Sequence, residues 1–253
     1  MAALHPAAAG LDYTAEIAVH SAALADAAEG NLAAPVEHCP GWTVADLLRH
    51  LLGVHGFWAR IVERRPTEQP PAEEDRPAPP EDKLVEEFRA GALHLVEVLR
   101  HADPQATCWT WAPAQQNIGF VQRHQVQEAA VHRWDAEHAA GRSVRLAVPV
   151  SVDSVEEFLT FSVATPEDPS DVPRADLAGS FVLQATDADA TWTVTDGALP
   201  ATVRFERGDQ PGLPVLAGCA SDLLLWLYRR VELPVPEDAG ELIERFRALS
   251  YTD

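Results

Sequence analysis

Cysteine is scarce in this chain. There are three, Cys39, Cys108 and Cys219, an odd and widely spaced set. Such a set excludes a disulfide framework and fits a reducing compartment, so the expected location is the cytoplasm. Positive charge is scarce too. Lys83 is the one lysine, and 19 basic residues face 39 acidic ones, for a formal net charge of -20. A surface of that sign repels phosphate backbones and anionic headgroups, so neither nucleic acid nor a membrane is an expected partner. No stretch approaches the roughly 18 consecutive apolar residues of a membrane span. The N-terminus lacks the basic segment and long apolar run of a secretory signal, so none is expected. Acidity favours solubility without fixing stoichiometry, which leaves monomer and dimer both open.

Apolar residues make up 47% of the 253, enough for packed cores in one large domain or two medium ones. Residues 11–29 read as a helix with Ile17, Leu24 and Ala28 on one face. Thr43, with Asp46 three residues on, reads as an N-cap with a short capping box. The helix it opens runs to about Arg65, and its expected apolar face carries Leu47, Leu51, Val54 and Trp58. Residues 66–80, rich in proline and acidic residues, read as a solvated loop. A third helix covers about Asp82 to His101. A loop at 103–117 then carries Trp109 and Trp111, and a fourth helix runs from about Ile118 to Ala140 and stops at Gly141. Four helices without a strand signal predict a four-helix bundle over residues 1–142.

The pattern changes near residue 142. Residues 144–150 alternate partly, Ser151–Val163 looks helical, and 164–176 reads as a loop. Gly179–Ala185, Ala190–Val194 and Ala201–Phe205 read as short strands, with a hairpin turn expected at Thr195-Asp196-Gly197. Ser221 opens another helix, and a last one covers Ala239–Leu249. Residues 143–253 are therefore expected to form a smaller α+β domain.

Two separated segments carry chemistry. Residues four apart on a helix share a face, so Glu128 and His132 can reach one ion. His50 sits among Leu47, Leu51 and Val54, and a buried imidazole there needs a partner. Two imidazoles and a carboxylate suit a catalytic zinc with an open fourth position. Gln125 and Asp135 lie near the same face as candidates to orient a ligand, and His124 is the candidate for a fourth donor that would close the site. The residues alone also allow a hydrogen-bonded core histidine and a solvent-facing polar stripe. Cys39 reads as a buried structural cysteine.

The segment Cys39-Pro-Gly-Trp-Thr-Val44 through Asp46-Leu-Leu-Arg-His50-Leu51, and the segment Glu128-Ala-Ala-Val-His132-Arg-Trp-Asp-Ala-Glu137, closely resemble the mycothiol-dependent maleylpyruvate isomerase family. Ser221-Asp-Leu-Leu-Leu-Trp-Leu-Tyr-Arg-Arg230 resembles that family's C-terminal helix, more weakly. The resemblance implies a DinB-like metal-binding four-helix bundle followed by an α+β C-terminal domain. It implies Zn²⁺, or another divalent metal, on His50, Glu128 and His132. Mycothiol would be the thiol cofactor or cosubstrate, with Arg230 at the thiol and the reacting centre and Arg229 as its rival. The implied chemistry is attack of a thiolate on a small electrophile, ending in cis–trans isomerisation or in S-transfer. One departure is Gln127, where many members have histidine. Two other readings stay open: a non-catalytic zinc-binding regulatory or sensor protein, and a thiol-independent metal-dependent hydrolase. Substrate contacts are expected in the loops 66–80 and 103–117.

Overall fold

The computed structural model describes residues 10–70, 79–164 and 174–252. Residues 71–78 of the expected loop at 66–80, and 165–173 of that at 164–176, lie outside the described residues. The described residues form a mixed α+β protein with a helical N-terminal region, and the chain divides into two compact units, Met1–Arg145 and Leu146–Asp253. No described helix is long and apolar enough to cross a membrane.

The first unit contains α1 (Tyr13–Ala28), α2 (Val44–Arg64), α3 (Leu84–His101) and α4 (Ile118–Ala139), with a 3₁₀ turn at Glu81–Lys83 leading into α3. Local chemistry sets the helix ends. Asp12 caps α1 by accepting from the Ala15 N–H. Thr43 and Asp46 close a reciprocal capping box at α2, the Thr43 N–H donating to Asp46 Oδ2 at 2.9 Å. Asn117 caps α4. At its other end Gly141 takes φ +70°, and the Arg142 N–H reaches back to the Glu137 carbonyl at 2.9 Å. Helix α1 packs against α3 and α4, and α2 against α3 and α4. The core between them holds Leu24, Ala28, Leu47, Leu48, Leu51, Phe88 and Ala136, all essentially inaccessible. Helix α4 is buried over most of its circumference, 17 of its 22 residues, so most of its polar side chains face protein rather than water.

The inward face of α2 differs from the expected one. Val54 is half-buried, and His55 is fully buried in its place. Steps of three and four residues through Leu48, Leu51, His55, Trp58 and Val62 describe the stripe that α3 and α4 together cover. His50 sits at the edge of that stripe, with its side chain 28% exposed.

The second unit starts with α5 (Val148–Phe161). The partly alternating residues 144–150 form no strand. Pro149 occupies the first turn of α5, where its missing N–H costs no hydrogen bond and its fixed φ suits a helix. Strands β1 (Ser180–Ala185), β2 (Ala190–Asp196), β3 (Val203–Arg207) and β4 (Val215–Gly218) make one sheet in the order β3-β2-β1-β4. The first three are antiparallel neighbours, and β4 runs parallel to β1. The β2–β3 reversal lies later than expected. Asp196 still pairs with Val203, the Gly197 N–H bonds the Thr202 carbonyl, and the left-handed residue is Ala201 at φ 56°. Gly197 is needed for a close approach, since a Cβ there would stand 2.1 Å from Thr202 Oγ1. Helices α6 (Ala220–Leu227) and α7 (Gly240–Ala248) complete the unit. Its core gathers Phe158, Phe181, Trp192, Trp226 and Phe246.

Candidate metal centre

Helix α2 supplies His50, and α4 supplies Glu128 and His132 one turn apart. His50 Nε2 lies 2.9 Å from Glu128 Oε1, and His132 Nε2 lies 3.7 Å from the same oxygen. One donor atom from each of the three residues lies within 4.8 Å of the other two. The His50 and His132 rings meet edge to face at 5.2 Å, and Trp42 leans on the outer side of His50 at the same centroid distance. Burial alone would raise the Glu128 pKa. The charge of His132, the hydrogen bond from His50 and the charges of His124 and His50 overcome it, holding the carboxyl at about 2. The centre is thus a buried carboxylate anion flanked by imidazole nitrogens.

His132 is oriented from behind. Its Nδ1 lies 3.0 Å from Asp135 Oδ2, and the Asp135 side chain is fully enclosed. A carboxylate only accepts, so Nδ1 donates to Asp135, and Nε2 is the nitrogen that faces Glu128. The Cys39 thiol donates to the same Asp135 oxygen at 3.8 Å. Of the two residues expected to orient a ligand, Asp135 bonds the His132 ring. Gln125 is fully buried, and among the described residues neither of its amide atoms has a hydrogen-bond partner. Cys39 is half-buried, not buried as expected, because its loop lies over the end of α4 and not inside the core. His124 is not in the converging group. Its ring stacks on Phe120 at 5.3 Å and meets Trp111 and Trp58 edge to face. Trp109 stacks on Trp58 in turn, which extends an aromatic wall one turn along α4 from Glu128.

The two arginines belong to the other unit. Arg230, just beyond α6, is buried; its Nη1 donates to the Tyr228 carbonyl at 2.7 Å, and its guanidinium lies 5.9 Å from the Tyr228 ring centre. Arg229 takes a left-handed φ of 61°, is exposed, and donates to the Arg247 carbonyl. The structure therefore brings together His50, Glu128 and His132 within the first unit.

Sequence reasoning missed two features. His55 is fully buried, and among the described residues both its ring nitrogens lack a hydrogen-bond partner, although its spacing from Leu51 and Trp58 marks it as inward-facing. A second cluster, Glu37, His38 and His138, joins residues about a hundred positions apart, which spacing cannot show.

A helical domain whose second and fourth helices present two imidazoles and a carboxylate defines a metal-binding class. Residues 13–137 match the family model described as the mycothiol maleylpyruvate isomerase N-terminal domain, and through this domain the chain belongs to that family. No curated protein and no solved structure matches the chain.

Proposed function

We propose that the chain is a zinc-dependent enzyme that uses mycothiol as a nucleophile toward a small electrophile, with isomerisation or S-transfer as the outcome. In this reading the four helices are a DinB-like bundle over residues 1–142, followed by a C-terminal domain at 143–253. The convergence of the His50, Glu128 and His132 donor atoms within 4.8 Å carries the proposal. The set fits zinc. It offers two nitrogens and one anionic oxygen, the carboxyl is ionised at neutral pH, and with Nδ1 bonded to Asp135 the His132 Nε2 is the nitrogen that would hold the ion. Zinc bound there supplies a charge that makes a thiol a thiolate at neutral pH.

The chain's own residues supply the rest. Asp135 keeps the His132 proton on Nδ1 and so fixes the ring's direction. Trp42 limits the ways His50 can turn. Arg230 is proposed to bind a polar group of the thiol or substrate, with Arg229 as the rival. A purely structural zinc normally has four protein donors. His124, the candidate fourth, is engaged with Phe120, Trp111 and Trp58, which favours an open, reactive site over a regulatory one.

The test compares zinc content and thiol chemistry in the parent and in His50→Ala. One equivalent of zinc and the thiol-dependent turnover of electrophiles should disappear together in the variant. Equal zinc in both proteins would overturn the proposal, and turnover without any thiol would replace it with the hydrolase reading. Mass spectrometry of the products separates isomerised substrate from a stable thioether.

A further inference from the structure

We infer that the chain carries a second site for a borderline divalent cation, formed by Glu37, His38 and His138. None of these residues belongs to the first centre.

The loop between α1 and α2 is held by short-range bonds. Pro35 pairs with Thr43, the Val36 N–H donates to the Trp42 carbonyl at 2.9 Å, and the Cys39 N–H donates to Val36. Gly41, at φ +85°, makes the reversal inside it. Residues 37 and 38 therefore leave a braced segment. His138 projects from the last turn of α4, its ring flat on Trp134 at 4.7 Å and 7°. The His38 ring leans on the same indole at 5.7 Å and stands 5.9 Å from the His138 ring. Glu37 Oε2 reaches His138 Nε2 at 2.8 Å. One donor atom of each residue lies within 4.8 Å of the other two.

An ion pair explains only part of this arrangement. Glu37 and His138 need no third member to make a hydrogen bond. A second imidazole beside the first adds repulsion whenever both are protonated. A single cation accepts a lone pair from each imidazole and the charge of the carboxylate, so it satisfies all three together. Glu37 is already ionised readily; the hydrogen bond from His138 and the charge of His38 hold its carboxyl below the ordinary value. Two nitrogens and one oxygen select Zn²⁺, Ni²⁺, Co²⁺ or Cu²⁺ over Mg²⁺ or Ca²⁺, which prefer all-oxygen sets. The Glu37 and His138 side chains are 67% and 41% exposed, so water completes the coordination. A cation there clasps the α1–α2 loop to the end of α4. The next residue of that loop is Cys39, which touches Asp135.

The experiment titrates metal-free, full-length protein with Zn²⁺ and counts bound ions by native mass spectrometry. The parent should take two equivalents, His138→Ala one, His50→Ala one, and the double variant none. Circular dichroism checks the fold of each. Because Trp134 lies flat on His138, Cu²⁺ should quench tryptophan fluorescence in His50→Ala and fail to do so once His138→Ala is added. Glu37→Gln should weaken uptake at this site alone. Equal uptake by the parent and His138→Ala overturns the inference, as does quenching in the double variant equal to that in His50→Ala. If His138→Ala loses one ion while His50→Ala loses none, this site stands and the proposed catalytic centre falls.

Discussion

Replacing His55 with phenylalanine should make the helical unit less sensitive to acid. The imidazole is fully buried, stacks on Phe88 at 5.6 Å, and among the described residues has no hydrogen-bond partner on either nitrogen. Burial lowers its pKa to about 4; the Glu128 charge opposes the shift and the His50 charge adds to it. His20, on α1, is nearly as enclosed, and burial with the nearby Arg133 charge takes it to about 4 as well. An unfolded histidine titrates near 6.5, so between about 6.5 and 4 the unfolded chain binds the extra protons. Stability must fall as the pH drops through that window. For one such group the loss between pH 7 and pH 5 is about 2 kcal/mol, and for the two together about 4 kcal/mol. His55→Phe removes one group, so its loss over the same interval should be about 2 kcal/mol. Glu128, with its carboxyl at about 2, adds a further loss only at lower pH, as the unfolded carboxylate begins to protonate. At pH 7 the variant also sheds the desolvation cost of the unpaired nitrogens, about 1–3 kcal/mol, from which the larger ring takes back a part. Urea unfolding of metal-free protein at pH 7 and pH 5, followed by tryptophan fluorescence, measures the difference. Five of the seven tryptophans lie in the helical unit, so the signal reports mainly on it. Equal pH responses in parent and variant would refute the reasoning.

Two further outcomes are expected. Asp135→Asn keeps an acceptor but loses the charge that holds the His132 proton in place, so zinc affinity should fall about 10-fold or more, as read by competition with a chelator; unchanged affinity would show that Asp135 does not tune the ligand. In the α+β unit, Glu156 is buried on α5 and pairs with Arg207 of β3 through Nε at 2.9 Å and through Nη2. Arg207→Ala leaves that carboxylate enclosed without a counter-charge and should destabilise the unit by about 2–3 kcal/mol, below the full range for a buried pair because Arg207 is half-exposed. Calorimetry reads this as a lower melting temperature, and an unmoved transition would contradict it.

Features set by near neighbours in the chain were legible. The Thr43–Asp46 box, the stop at Gly141, the shared face of Glu128 and His132, and three of the strands follow from spacings of a few residues. What depends on distant partners was not. His55 lies inside because α3 and α4 together cover a wider stripe of α2 than its apolar residues mark out. Strand β4 is four residues long, follows Pro214, and exists by pairing with β1 rather than by its own pattern. The β2–β3 hairpin looked as if it turned at Asp196-Gly197, yet cross-strand pairing carries both residues on, and the glycine serves a close contact instead. Gln125 and Asp135 were equivalent candidates on one helical face; the thiol of Cys39 and the ring of His132 converge on Asp135 alone.

The His132 ring works at both of its edges, one nitrogen toward Glu128 and the other toward Asp135. Amides and carboxylates imitate one edge of an imidazole at a time, and no other natural side chain carries two nitrogens on opposed sides of a rigid five-membered ring. Position 132 is therefore a bottleneck for sequence drift. His50 meets Glu128 through a single nitrogen.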